Sequence, residues 1–284
     1  MNLAQQIVDG LVLGSGYALI AIGWSVLLAT ARQANLAHGQ LYMLGAFLAW
    51  AAMERYGIDY AVAVPLAVLA LGLIGVLLQG AMLPLVTRQN LTDLMIVTLA
   101  IGYVLRGGAA RVFGDEPRRL ASPLQAESLR FGEVAFTLQD AVTLAGTLLL
   151  FGLVWLVLNR TRLGSRLRSV AEDPGLARLC GISVARVYVG VFVFECAAVA
   201  LAAGLVAPRG PILAGLGVDE VVLTFVVVVL GGIGSVGGCL LAGLGLGLFT
   251  QLFGALVSPA YTMAAALLLL LFVLAVRPRG LAAR

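Results

Sequence analysis

A serine hydrolase working inside a membrane would need a histidine as base for its serine, and His38 is the single histidine among 284 residues. Ser15 and Ser235 are conceivable partners for it, yet neither stands in a nucleophile motif. As a metal ligand His38 has no companions. The three cysteines, Cys180, Cys196 and Cys239, are widely spaced, two of them inside apolar runs. They read as small packing residues, with no disulfide framework. Gly232, Gly234 and Gly237 spell G-x-G-x-x-G after a valine run, the outline of a dinucleotide site. Such a site needs an acid about 20 residues further on for the ribose, and no acidic residue follows Glu220. A phosphate-binding P-loop needs a lysine, and all 18 basic residues here are arginine. If ATP drives anything, another polypeptide binds it. The chain reads as a non-enzyme, with no catalytic residue, cofactor or metal expected.

What remains is polarity and glycine in unusual places. Arg106 and Glu195 stand inside apolar segments, where each would cost roughly 2.5–3.5 kcal/mol at a helix centre facing lipid. One reading makes them a polar pathway or proton relay. The other, favoured on so few charges, is structural: a packed ion pair, or a neutral Glu195 with a snorkelling Arg106. Two stretches break the apolar pattern, Gln33 to Gly39 and Gly231 to Gly238. Non-helical backbone at membrane depth is tolerated only where protein buries it or a cavity is lined by it. A pair of glycine-interrupted segments in the two halves points to a transport pathway. Asn35, His38, Gly39, Gly231, Gly232, Gly234 and Ser235 are then its candidate lining. The alternative is two tight cytoplasmic turns between antiparallel helices.

The elements that must position these residues are membrane helices. At 61% hydrophobic and 11% charged, with a mean hydropathy of +1.05, the chain has too little polar surface to cover itself in water. Its 35 glycines suit helices that approach closely without a hydrophobic driving force. Against the ~20 residues a span requires, apolar segments fall near 7–29, 38–53, 61–85, 92–113, 139–158, 187–207, 219–231, 238–256 and 262–276. The second and seventh are short enough to be half-helices or re-entrant. The expected fold is an all-α membrane protein, a polytopic helical bundle of 8–10 transmembrane segments with glycine-broken or re-entrant helices, forming one transmembrane domain over 1–284. The first basic residue, Arg32, follows the first apolar run, so that run is expected to stay as a helix and not to be cleaved. Arginine bias in short loops assigns residues 160–186 and the tail Arg277, Arg279 and Arg284 to the cytoplasm. Nine crossings then put the N-terminus outside, Arg32 and Arg88 inside, and residues 114–138 outside. A pI near 9.2 reflects loops between spans, so it reads as topology and not as nucleic-acid binding.

The loop from Arg160 to Arg186 holds six arginines against Glu172 and Asp173, a balance of +4 equal to the whole chain's. Its middle has the signals of a short capped helix. Asp173 can accept from the first free N–H groups, Pro174 has none to lose, and Gly181 can take a left-handed cap. Leu176, Leu179 and Cys180 recur at helical spacing as a narrow apolar stripe. Such a helix fits a groove in a partner protein or rests on lipid headgroups.

Asn35-Leu36-Ala37-His38-Gly39 with Tyr42-Met43-Leu44-Gly45-Ala46 resembles a signature of branched-chain amino acid ABC transporter permeases. The similarity continues through Arg160-Thr161-Arg162-Leu163-Gly164, Asp173-Pro174 and Ala177-Arg178-Leu179-x-Gly181-Ile182. It resumes at Val229 to Ser235 and ends with Arg277-Pro278-x-Gly280-Leu281. The chain looks most like the shorter of the two permease subunits. Leu36, Glu195 and Leu223-Thr224 depart from the family's usual residues. The resemblance implies a bacterial inner-membrane importer of branched-chain or related hydrophobic amino acids. Its partners would be a second permease subunit, two cytoplasmic ATPase subunits and a periplasmic substrate-binding protein. Arg166, Asp173, Pro174, Leu176, Ala177, Leu179 and Gly181 would then form the ATPase-coupling element. Relatives that carry urea or short amides leave the substrate open, and a self-contained secondary carrier is the competing class.

Overall fold

Helices carry this chain through its apolar stretches, because lipid offers the backbone no other partner. The computed structural model describes residues 3–87, 91–131, 134–277 and 280–281. Arg88, Pro278, Arg279 and Arg284 lie outside the described residues. The long helices are α1 (Leu3–Ala31), α2 (His38–Tyr56), α3 (Tyr60–Thr87), α4 (Leu91–Phe113) and α5 (Leu138–Arg160). Two short helices follow, α6 (Arg162–Glu172) and α7 (Pro174–Leu179), then α8 (Val184–Val206), α9 (Val218–Gly231), α10 (Val236–Leu256) and α11 (Thr262–Val276). Among the described residues, seven helices are long and apolar enough to cross a bilayer, namely α1, α3, α4, α5, α8, α10 and α11. The protein is a polytopic helical membrane protein. Helices α2 and α9 make up the nine apolar segments of the sequence, and they are the two that read as short.

The helices alternate between two ends of the bundle. At one end, β1 (Arg118–Arg119) pairs with β4 (Pro211–Ile212), and β2 (Ser128–Phe131) pairs with β3 (Val134–Thr137). The start of α1 belongs there, since Gln5 both donates to the Ala135 carbonyl and accepts from its N–H at 2.8 Å. Tyr60, opening α3, donates to Gly204 near the end of α8 at 2.8 Å. Gln251, late in α10, donates to Gln6 at 2.9 Å. The opposite end carries α6 and α7, the exit of α1 and the chain beyond α11, where Leu281 N–H bonds the Leu230 carbonyl at 2.8 Å.

Helix α1 is the axis of the bundle, packed by α8, α9, α10 and α5. Its small residues make this possible. A Cβ on Gly14 would lie 2.6 Å from the Gly243 carbonyl oxygen, and one on Gly243 would lie 2.8 Å from the Ala18 Cα. Gly247 sits against the backbone of Gly14. Where no hydrophobic drive separates protein from lipid, this close backbone packing supplies the attraction. Apolar side chains on α3, α4, α5 and α11, such as Leu69, Val104, Leu149 and Phe272, stay exposed on the outside, as a lipid-facing belt should.

The contrast between packed and open glycines can be measured. Gly247→Ala should destabilise by about 1–3 kcal/mol, the usual penalty of overpacking. Gly152→Ala, which meets nothing within 4 Å, should leave the unfolding midpoint in detergent unchanged or slightly raised. Equal effects of the two would disprove the α1–α10 contact.

Candidate functional site

After α1 ends, residues 32–37 leave the helical path and turn back into the bundle before α2 begins. His38 contacts α1 at Ile20 and Trp24, eleven residues before Ala31 in the case of Ile20, hence about 16 Å inside that end. So α2 starts within the layer. Backbone of this kind must find partners in protein. Leu36 N–H donates to Thr98 Oγ1 on α4 at 3.2 Å. Gln33 and Gln79 exchange amide hydrogen bonds at 3.2 and 3.4 Å. Asn35 Oδ1 accepts from Ala37 N–H at 3.0 Å, turning the chain into α2.

At the centre lies Glu195 of α8, fully buried with His38 and Asn35. Gly23 lets α8 come this close, since a Cβ there would sit 2.9 Å from the Glu195 Cα. Glu195 Oε1 accepts from Asn35 Nδ2 at 3.0 Å and contacts His38 Nδ1 at 2.8 Å. His38 Nε2 lies 3.1 Å from the Ile20 carbonyl. A carbonyl only accepts, so Nε2 carries a hydrogen. The 2.8 Å contact then needs one further proton, either on the carboxyl or on Nδ1. In both cases the pair is neutral as a unit, which removes most of the cost of burying a lone charge. The Trp24 ring stacks on the imidazole with centroids 5.2 Å apart.

Among the described residues, five buried side-chain polar atoms lack a partner. Four of them, Trp24 Nε1, Ser25 Oγ, Gln40 Oε1 and Glu195 Oε2, belong to this knot or its immediate neighbours. Native structures leave few such groups, so their concentration here singles out the region. Sequence reasoning treated Glu195 and His38 separately. The signal that could have joined them was the lone histidine needing a partner at the same depth as the lone buried acid.

Helix α9 begins beside α2. The backbones of Gly39 and Gly217 touch so closely that a Cβ on either would overlap the other's carbonyl, and Gly217 has φ +102°. Gly217 N–H donates to Glu220 at 2.7 Å, capping α9. Two helices therefore start side by side within the layer, with their N-termini together, an arrangement that discontinuous transport helices use at substrate sites. Arg106 is exposed on α4, its guanidinium 4.0 Å from where a Gly215 Cβ would lie. The packed Arg106–Glu195 ion pair is absent, and Glu195 Oε1 pairs with His38 and Asn35 instead.

The second glycine break lies elsewhere. Gly231, Gly232, Gly234 and Ser235 form a turn from α9 to α10 at the α6–α7 end, with Gly234 packed on Ala29 near the exit of α1. Gly232 and Gly234 have φ of +89° and +83°, and Ser235 Oγ accepts from Gly238 N–H at 3.1 Å. The structure does not bring these four residues together with Asn35, His38 and Gly39. For this break the geometry is that of the tight turn and not of backbone at membrane depth.

At the same end, Asp173 accepts from the N–H groups of Gly175 and Leu176 at 2.7 and 3.0 Å, with Pro174 first in α7. Gly181 takes φ +77° after it. Ala177 is buried and anchors the helix, while Leu176 and Leu179 are 62% and 85% exposed. Arg166 sits on α6, also exposed. Helix α6 itself was not foreseen. Thr161 caps it through Gly164 N–H at 3.3 Å, and Val170 is fully buried beneath it.

A family profile described as the permease component of a branched-chain amino acid transport system matches residues 6–275. The high-affinity branched-chain amino acid transport system permease protein BraD of Pseudomonas aeruginosa is 34% identical, covering 99% of this chain and 95% of that one. The corresponding LivH of Escherichia coli is 30% identical with the same coverage. A solved structure of PsaBC from Streptococcus pneumoniae in complex with Fab covers 97% of this chain and 90% of its own, at 13% identity and a TM-score of 0.46. That likeness is too loose to carry an argument.

The buried knot predicts a graded response. Glu195→Ala leaves the Asn35 amide and His38 Nδ1 unpaired and should cost about 3–5 kcal/mol of stability. An amide at this position can keep one of these two bonds but not both, since both are made to Oε1, so Glu195→Gln should cost less than Glu195→Ala but remain measurable. Unfolding in detergent micelles measures both, and indistinguishable losses would rule out the shared-proton contact.

Proposed function

Because the chain belongs to the family of branched-chain amino acid transport permeases, we propose that it is one membrane subunit of a bacterial ABC importer. In this reading it lines the path for branched-chain or related hydrophobic amino acids. A second permease subunit completes the pathway, two ATPase subunits dock at the α6–α7 end, and a periplasmic binding protein delivers substrate at the β-strand end. The α6–α7 end then faces the cytoplasm and the N-terminus faces outward in the inner membrane. The observation that carries the proposal is a capped helix presenting two bare leucines outside the spanning helices, in a chain with no lysine to hold ATP itself. The neighbouring starts of α2 and α9 support the pathway reading. Asn35, His38 and Gly39 would brace that pathway, while Gly231, Gly232, Gly234 and Ser235 would act as its hinge near the ATPase.

Mechanically, the proposal needs a contact strong enough to transmit movement yet separable from the fold. Burying Leu176 and Leu179 in an ATPase groove is worth roughly 1.5–3 kcal/mol each. Neither leucine supports the bundle, so charge there should disconnect the motor and leave the permease intact. Leu176→Glu or Leu179→Glu should preserve membrane insertion and binding-protein docking. Uptake, and the stimulation of ATP hydrolysis by loaded binding protein, should both fall at least tenfold, the loss of one such contact. Arg162→Ala should be milder. Wild-type import by the leucine variants would remove α7 from the coupling role.

Orientation has its own test. Cys180 is exposed, and Cys196 and Cys239 are buried. With the buried pair changed to alanine, a membrane-impermeant maleimide should label Cys180 in inside-out vesicles and not in intact spheroplasts. Labelling from the outer face would invert the assignment.

A further inference from the structure

Helices α5 and α8 both lean on α1 but separate from one another towards the α6–α7 end, leaving a cavity of about 730 Å³. Leu153, Val154 and Val157 of α5 form one wall, Val191 and Phe194 of α8 the other, and Val26 of α1 the floor. These side chains stand on spanning helices, at hydrocarbon depth. At the α6–α7 end, charge joins the apolar lining of Leu163, Leu167 and Ile182. Arg166 and Arg186 border the mouth there, both exposed, and no ion pair holds either of them among the described residues. Ser183, also at the mouth, is the N-cap of α8 but makes no capping hydrogen bond with its side chain. The first-turn N–H groups of this 23-residue helix therefore lack the usual acceptor.

We propose that this groove holds an anionic phospholipid, its phosphate at Ser183, Arg166 and Arg186 and one acyl chain between α5 and α8. The chemistry selects each part. A helix N-terminus with an uncommitted cap and two unpaired guanidiniums is a phosphate site. The apolar groove beneath excludes a free phosphate as the whole ligand, since it would leave the walls bare. A neutral headgroup leaves the excess positive charge unanswered, whereas basic pockets between spanning helices match anionic lipid. The site touches α6 and the entry to α8, so lipid there would brace the base on which α7 stands. This inference rests on the membrane reading alone and holds whichever end faces the cytoplasm.

The test uses the purified full-length chain, incubated with mixed phosphatidylglycerol and phosphatidylcholine and read by native mass spectrometry. The wild type should retain phosphatidylglycerol about thirtyfold over phosphatidylcholine, the order expected of two arginines at about 1 kcal/mol each. Arg166→Gln with Arg186→Gln should abolish that preference. Gly190 borders the groove and has open space at its Cβ, so Gly190→Leu should reduce retention of both lipids without altering the charge. Inorganic phosphate in excess should not displace the lipid. Unchanged retention in both variants, displacement by phosphate alone, or crosslinking of Gly190→Cys to another permease subunit would each overturn the proposal. Elution as a single folded species checks the variants. Because no transport is measured, failure here is separate from failure of the α7 variants.

Discussion

Backbone that leaves a helix inside lipid has no water to fall back on, and the structure is arranged around six residues in that position. Residues 32–37 run back into the layer and expose amides and carbonyls at a depth where each unmet group costs several kcal/mol. Thr98 meets the Leu36 N–H, and the side chains of Gln33, Asn35 and the following His38 are held by three more helices. Thr98 of α4, Gln79 of α3, Glu195 of α8 and, through His38, the Ile20 carbonyl of α1 all converge on this short stretch. A plain turn at the membrane surface would need none of them. Gln33, Asn35, His38, Gln79, Thr98 and Glu195 form one buried polar cluster around this path, while Gln139 with Tyr60 and Ser122 forms another near the strand end.

That requirement also explains the glycines at three contacts. For Glu195 to reach Asn35 and His38, α8 must press against α1, and Gly23 removes the side chain that would hold it off. For α2 to begin at this depth beside α9, Gly39 and Gly217 must touch backbone to backbone. The α1–α10 seam of Gly14, Gly243 and Gly247 then fixes the opposite flank of α1. Close packing and polar satisfaction are thus one problem, since hydrogen bonds of this length form only if the helix axes come near enough.

Much of this was legible in the sequence. Nine apolar segments matched nine helices, and the cap on α7 could be read residue by residue, because caps depend on local backbone chemistry. Depth was not legible. The valine run of α9 gives a length but not a starting level, so the break after it looked like membrane-buried backbone and proved to be a turn at the bundle end. Pairing was not legible either. Whether Glu195 meets Arg106 or His38 depends on how α4 and α8 are rotated, which only tertiary packing decides. Helix α6 was hidden by its arginines. Leu163, Leu167 and Val170 recur at i, i+4 and i+7, but among Arg162, Arg166 and Arg168 that pattern reads as a solvated loop.

The interior knot and the α6–α7 end are not independent, and α1 is the reason. Near its middle it offers the Ile20 carbonyl and the Trp24 ring to His38. At its exit Arg32, held at φ +51°, reaches the Ala171 carbonyl of α6 at 3.5 Å. Residues 32–37 join these two points directly. A helix is stiff along its axis, and both the interior knot and the α6–α7 platform are fixed to the same one. Any shift of α6 that moved Arg32 would have to be absorbed either by the 32–37 stretch, whose hydrogen bonds are specific and buried, or by α1 sliding along its glycine seam. Both are tightly held, the seam by direct backbone packing and the stretch by buried hydrogen bonds, so α1 ties the position of α6 to that of the knot.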